Sequence, residues 1–253
     1  MFKDPNGIET FLEKIKITRQ CLMVHGNHHK IPTDLVQATF LICQPEIERL
    51  KRWILTQILE KDTQLKEASF NLSSFVVTCA YVWVCFVKTL GGHYDDNLRE
   101  HCFFAVECRS RLNPALPENY FGNCLVPCLT FANKEDLLGK DGIVVAAEVI
   151  GKGIQMSIKG VSEEGFQGDL AKCSSTTLEH VSGIAGSPKW KFYETDFGWG
   201  RPKKVELCSI HRAKAVIFSE RSDGEAGIEI GVILNKIDMD AFEMNFADTI
   251  KTY

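Results

Sequence analysis

Seven histidines are the chain's candidate bases: His25, His28, His29, His93, His101, His180 and His211. An imidazole titrates near neutrality and can take the proton of a hydroxyl nucleophile. The pattern H-x-x-x-D would tie such a base to a carboxylate. No histidine here has that partner: Pro32 follows His28 at this distance, Thr33 follows His29, and Asn97 follows His93. The run His25-Gly-Asn-His28-His29 has donor types suited to a metal. It has no nearby cysteine, however, and its breaker-rich surroundings read as a solvated loop. A nucleophilic serine would sit in G-x-S-x-G, and Gly183-Ile-Ala-Gly186-Ser187 does not fit that spacing. Gly151-Lys-Gly153 is a lone G-x-G inside a helical stripe, with Met156 where a dinucleotide fingerprint needs a third glycine. Residue types alone therefore assign no catalytic residue and no metal ligand.

Ten cysteines occur, at Cys21, Cys43, Cys79, Cys85, Cys102, Cys108, Cys124, Cys128, Cys173 and Cys208. Most lie in apolar stretches and no C-x-x-C is present. They read as reduced core thiols of a cytoplasmic protein, not as a zinc site. The 253 residues suit one large domain or two small ones. With 45% hydrophobic and 25% charged residues the composition is that of a soluble globular protein. A net charge of −4 argues against a general nucleic-acid binder. The start, Met1-Phe2-Lys3-Asp4-Pro5-Asn6-Gly7, is polar and turn-like and reads as no signal peptide. The longest apolar run, Phe75 to Val87, is shorter than the ~20 residues of a membrane span.

The elements that must position any site follow from periodicity. Residues 1–35 are rich in breakers and hold only a short apolar helix-like stretch, Phe11 to Ile17. Val36 to Ile42 reads as a strand. Pro45 opens a helix with Ile47, Leu50, Ile54 and Ile58 at helical spacing. Ser73-Ser74 can cap the next element, which runs to Lys88 and is apolar nearly all round. It reads as a central buried helix, with a strand as the alternative its Val and aromatic content leaves open. Strands are expected at His101–Cys108, Cys124–Phe131, Lys189–Tyr193, Ala213–Phe218 and Ile228–Leu234. Helices are expected on the stripes Ile143–Ile158, Phe166–Thr177 and Met239–Ile250. The fold class is α/β or α+β, a mixed β-sheet covered by helices.

One segment carries more than periodicity. Asp196-Phe197-Gly198-Trp199-Gly200, followed by Arg201-Pro202-Lys203-Lys204-Val205, resembles the signature of the plant BAHD acyltransferases, which use acyl-coenzyme A donors. The likeness extends through Ser74-Phe-Val-Val-Thr-Cys-Ala-Tyr-Val-Trp83, Cys108-Arg-Ser-Arg-Leu112 and Asn119-Tyr-Phe-Gly-Asn-Cys124. It continues in Asp136-Leu-Leu-Gly-Lys-Asp-Gly142 and in Gly227-Ile-Glu-Ile-Gly231 with Met239-Asp-Ala-Phe242. These blocks keep the family's order over essentially the whole chain. The Tyr-Phe-Gly-Asn-Cys form and Ser187-Pro188 resemble the branch that malonylates anthocyanin, flavonoid and phenolic glucosides.

The resemblance implies half of a chloramphenicol-acetyltransferase-like, two-domain architecture. Family members run to roughly twice this length and carry H-x-x-x-D in the first domain. This chain then looks like the C-terminal half: residues 1–35 a remnant of the first domain and crossover arm, residues 36–253 the C-terminal acyltransferase domain. It implies an acyl-CoA cosubstrate, malonyl-CoA in this branch, and a glycosylated phenolic acceptor in the complete enzyme. Alone, without its base, the chain is expected to be inactive. A second reading is a non-catalytic acyl-CoA-binding or interaction protein.

The resemblance places Ser73, Ser74, Tyr120 and Asn123 along the donor channel. Ser73 or Ser74 can equally be a helix cap. Arg111, Lys203 and Lys204 are candidates for coenzyme phosphates. Arg109 and Arg111 can instead pair with carboxylates, and Arg109 leans to that structural role. Asp196, Phe197, Gly198, Trp199 and Gly200 form an architectural loop in the family. Trp199 would anchor it by burial, and a partly buried Asp196 would form a salt bridge with Arg109. The face turned to a partner domain would be apolar, favouring an N-terminal half or self-association as partner.

Overall fold

The structure is a computed structural model that describes residues 34–61, 69–90, 99–112, 115–164, 181–206 and 215–252. The expected helix over 166–177 and nearly all of the 1–35 arm lie outside these residues, as do all the histidines except His101.

Six strands form one mixed sheet: β1 (Leu35–Cys43), β2 (Arg99–Glu107), β3 (Leu125–Asn133), β4 (Val181–Gly186), β5 (Ala215–Ser219) and β6 (Gly227–Asn235). Their spatial order is β1-β6-β5-β4-β2-β3. The central strands β2, β4 and β5 are parallel, and the pairs β2–β3, β5–β6 and β1–β6 are antiparallel. Pro127 sits in β3, an outer strand, where a missing N–H costs no internal ladder bond.

Alternation splits the strands cleanly. Phe104, Val106, Val126, Cys128, Phe218, Ile230 and Val232 point to one buried face. The helices pack there: α1 (Gln44–Lys61), α2 (Ser74–Leu90), the short α3 (Lys134–Leu138), α4 (Gly142–Glu164) and α5 (Lys236–Thr252). The α1 stripe Ile47, Leu50, Ile54 and Ile58 is buried as its spacing implies.

The central segment is a helix, not a strand. Ser73 caps it, its hydroxyl accepting the Val76 N–H at 3.3 Å. Thirteen of the seventeen α2 residues are buried. The β-branched valines cost a few tenths of a kcal/mol each in a helix, which burial of ~1.5–3 kcal/mol per large side chain outweighs. α2 packs against α4, α5 and α1. Phe242 closes its far end against Phe40, Phe86 and Phe246.

The lone Gly151-Lys-Gly153 has a packing reason. A Cβ on Gly151 would lie 2.0 Å from the Phe70 ring, and one on Gly153 would lie 2.2 Å from the Thr130 methyl. These glycines let α4 settle onto Phe70 and onto β3.

One expected element fails. Lys189–Tyr193 is not a strand. Ser187 caps a 3₁₀ turn at Pro188–Trp190, Lys191 takes a left-handed conformation (φ 53°), and a second 3₁₀ turn follows at Phe192–Glu194. Pro at the first helical position and the Ser187 hydroxyl on the Lys189 N–H outweigh the aromatic content. The strand lies just before, at β4.

Candidate functional site

The three parallel strands end together, at Glu107, Gly186 and Ser219. The antiparallel registers bring the start of β3 (Leu125 opposite Glu107) and of β6 (Glu229 opposite Ser219) to the same end. The N-terminus of α2 joins them. Phe75 in its first turn stacks edge-on against Phe104 of β2 at 5.4 Å and Phe218 of β5 at 6.0 Å. In open α/β sheets ligands bind beyond the carboxyl ends of the parallel strands. Every sequence-derived site residue falls on this end or on the loops leaving it.

Ser73 is the cap of α2, its hydroxyl on the Val76 N–H. A capped helix start still aims N–H groups outward, and no acidic residue occupies the first turn of α2. Ser74 is half-buried beside it.

Cys108 leaves β2 into a 3₁₀ turn, Arg109–Arg111. Arg109 does not reach Asp196. Its guanidinium donates to Glu107 Oε1 at 2.9 Å and to the Gly122 carbonyl. These bonds tie the turn to the Tyr120–Asn123 block rather than to the Asp196 loop. Arg111 is exposed and donates to the Glu107 carbonyl at 3.2 Å. Tyr120 lies folded over Gly122, whose Cβ would meet the phenol oxygen at 2.9 Å. Asn123 is exposed next to it.

The Asp196 loop also departs from expectation. Asp196 is exposed, and its Oδ1 accepts the N–H groups of Gly198 at 2.7 Å and Gly200 at 3.1 Å. Both glycines have positive φ, 96° and 93°, which only glycine adopts without strain. Trp199 is 92% exposed and Phe197 81%, so burial of Trp199 does not anchor the loop. The carboxylate organises it locally instead, as an Asx-type turn. Asp196→Asn keeps the accepting oxygen, so its melting temperature should stay close to that of the unsubstituted chain. Asp196→Ala, which loses both bonds, should melt lower. Differential scanning calorimetry of the two variants checks this.

Two residues that the sequence reading passed over hold the loop. Glu220 Oε1 accepts the Tyr193 N–H at 2.8 Å, and the Tyr193 hydroxyl accepts the Val205 N–H at 3.1 Å. This chain pins both ends of residues 193–205. Its length in sequence is why no local pattern revealed it. Lys203 and Lys204 lie exposed on that segment. The Glu206 carboxylate bonded to Lys204 holds its ammonium above the ordinary lysine range. Glu220→Ala should cost ~1.5–3 kcal/mol, since a charge-assisted bond is lost; urea unfolding measures it.

The fold is that of an α/β protein with a mixed sheet whose parallel strands end beside the start of α2. The model of the Transferase family matches residues 22–249. The malonyl-coenzyme A:anthocyanin 3-O-glucoside-6''-O-malonyltransferase of Dahlia pinnata is 37% identical over 232 residues, 87% of this chain and 47% of its own length. Coumaroyl-CoA:anthocyanidin 3-O-glucoside-6''-O-coumaroyltransferase 2 of Arabidopsis thaliana is 33% identical, over 89% of this chain and 48% of its own. Among solved structures, TRI101 of F. sporotrichioides, complexed with coenzyme A and T-2, superposes with a TM-score of 0.59 at 15% identity. It covers 83% of this chain and 49% of that one. The chain belongs to this transferase family, that of the BAHD acyltransferases. It spans about half the length of the curated relatives it matches.

No described helix is long and apolar enough to cross a membrane. No cluster of metal-ligating side chains occurs among the described residues.

Proposed function

We propose that these residues form the donor-side domain of an acyl-CoA-dependent O-acyltransferase of plant specialised metabolism. Residues 36–253 would be that domain and residues 1–35 an arm toward its partner. The observation that carries this reading is the gathering of the capped α2 N-terminus, Arg111, Tyr120 and Asn123 at one strand end, in a chain of this family. Arg111 is an exposed cation there, Lys203 is exposed on the 193–205 segment, and the first turn of α2 is free of acidic residues. That set suits the phosphates of coenzyme A.

The donor supplies the activated thioester. In this reading the chain's own residues hold the coenzyme and close one wall of a channel, in the cytoplasm. The proton of a glycoside hydroxyl would pass to a base outside these 253 residues, which contain no H-x-x-x-D. Malonyl is favoured over coumaroyl as the acyl group only by a few per cent of identity, 37% against 33%. The Tyr-Phe-Gly-Asn-Cys block supports the same choice.

Isothermal titration with coenzyme A tests the site. Binding is expected, with an affinity about tenfold lower in Arg111→Ala, the loss of one ~1.4 kcal/mol charged contact. No heat at any concentration, or an unchanged affinity in the variant, overturns it.

Self-association is part of the same reading. The sheet face away from the helices carries Phe103, Leu125, Leu129 and Phe131, with Arg99 stacked 4.7 Å over the Phe131 ring. Light scattering is expected to show dimers or larger species. A clean monomer at high concentration would count against it.

A further inference from the structure

The β2–β3 ribbon continues one step past its last paired residues. Beyond Glu107 opposite Leu125, the Cys108 N–H donates to the Cys124 carbonyl at 2.9 Å. The two cysteines therefore face each other across the mouth of the ribbon. Both fall on the helix-covered face, in step with Val106 and Val126, and both belong to the core cluster. Directly opposed residues of a hydrogen-bonded antiparallel pair have Cα atoms ~5.5 Å apart. That lies inside the ~4.4–6.8 Å range a disulfide bridges. The deeper strand thiols lack this opposition: Cys102 faces Thr130, and Cys128 faces Phe104.

Cys108 and Cys124 carry no disulfide here. Cys108 is 0% exposed and Cys124 3%, yet the residues flanking Cys124, Asn123 and Leu125, are exposed. Cys124 thus lies just under the surface at the open end of the sheet. The segment between the two cysteines, residues 109–123, holds Arg109, Arg111, Tyr120 and Asn123.

We infer that Cys108 and Cys124 form an oxidative modification site, a dithiol that low-molecular-weight disulfides convert to a clasp across the base of the 109–123 loop. The step balances with oxidised glutathione. The Cys124 thiolate attacks one glutathione sulfur and expels the other as a thiolate. The Cys108 thiolate then attacks the Cys124 sulfur of the mixed disulfide and expels the second glutathione. The S–S bond of glutathione breaks and the protein S–S bond forms. Two electrons pass to glutathione, and the two cysteine protons end on the two glutathione thiols.

The surroundings set the rate. Burial pushes the Cys108 thiol up, with the Cys124 thiol beside it adding to the shift and Arg111 opposing it. Burial and Glu107 push Cys124 up, with Arg109 opposing. The thiolates are scarce at neutral pH, so oxidation is slow there and accelerates as pH rises. The site belongs with slow, reversible locks rather than rapid peroxide sensors.

The clasp fixes the loop that the proposed coenzyme site uses. Only that consequence rests on the functional reading above; the disulfide itself rests on the strand geometry.

Incubation of the full chain with oxidised glutathione at about pH 8, alkylation of remaining thiols and peptide mapping test it. One cross-linked peptide pair joining Cys108 to Cys124, lighter by two hydrogens and released by dithiothreitol, is expected. Amide hydrogen exchange across 109–123 should slow in the oxidised chain. Cys124→Ser should lose the cross-link and keep the circular dichroism of the fold. Alkylation of both cysteines as in the reduced chain, glutathione adducts without a cross-link, or a cross-link at other cysteines overturns the inference. So does unchanged exchange in 109–123. Failure of coenzyme A to bind would sink the functional reading and leave the peptide map untouched.

Discussion

Gly151→Ala is expected to destabilise the chain by ~1–3 kcal/mol, although alanine is the better helix former. In an exposed helix this change would gain about 1 kcal/mol. Here the new Cβ would stand 2.0 Å from Cδ2 of Phe70 and 2.6 Å from two further ring atoms. Phe70 is itself buried, so the ring cannot swing into solvent without giving up its own packing. Close-packed interiors turn such overlaps into shifts of whole elements. The shift would carry α4, which packs on α2 and on β3. Gly153→Ala repeats the test on the other side of the helix, against the Thr130 methyl. Exposed Lys152, between them, is the internal control, and Lys152→Ala should change stability little. Urea unfolding of the three variants measures the difference. Gly151→Ala unfolding at or above the midpoint of the unsubstituted chain would show that α4 does not depend on this close approach.

The same glycines show what a sequence discloses and what it withholds. Ile143, Ala147, Ile150 and Ile154 announce α4 because burial on one face repeats every turn. Ser73 announces α2 because a cap is a local chemical requirement. The strands β1, β2, β3 and β6 carry the alternation that a helix-covered face imposes, and β5 is a short apolar run buried at Val216, Ile217 and Phe218. β4 escapes because Ser182, Gly183 and Gly186 leave it few large side chains; it is a strand by its neighbours on both sides. The false strand at Lys189–Tyr193 arises in the opposite way, from aromatic residues whose backbone is governed by Ser187 and Pro188.

The site divides along the same line. Residues 109–112 and 120–123 lie at strand ends because they flank β2 and β3 in the chain. Pairing was not legible in the sequence. Asp196 has an apolar neighbour on its C-terminal side, Phe197, which suggested burial, but Phe197 and Trp199 point outward and leave the carboxylate in solvent. With water available, Asp196 needs no arginine, and the nearest N–H groups of its own loop suffice. Arg109, one turn past β2, finds Glu107 and the Gly122 carbonyl before anything more distant. Local partners won in both cases, because closing a short loop costs less entropy than closing a long one.

The largest functional effect expected is the loss of acyl transfer in these 253 residues taken alone. A positioned general base contributes ~10²–10⁴-fold to such a reaction. His101, the described histidine, is in β2 with its ring 6.0 Å from that of Phe131, on the sheet face opposite the helices, and has no carboxylate four residues on. Nor do the buried thiols of Cys79, Cys85 and Cys102 substitute. They are held well above their ordinary range by burial, so none offers a nucleophilic thiolate near pH 7. Malonyl-CoA and an anthocyanin glucoside, with product followed by chromatography, should therefore show turnover no faster than ~10⁻² of that of a full-length relative, even where titration shows coenzyme A bound. Co-expression with the half of the Dahlia relative that this chain does not match should raise that rate, if the two halves close one channel. A chain that binds coenzyme A yet gains nothing from the second half would favour the reading of a non-catalytic acyl-CoA-binding protein. Turnover by the chain alone at the rate of a complete relative would mean that a base other than H-x-x-x-D works within these residues, and would overturn the division of labour argued here.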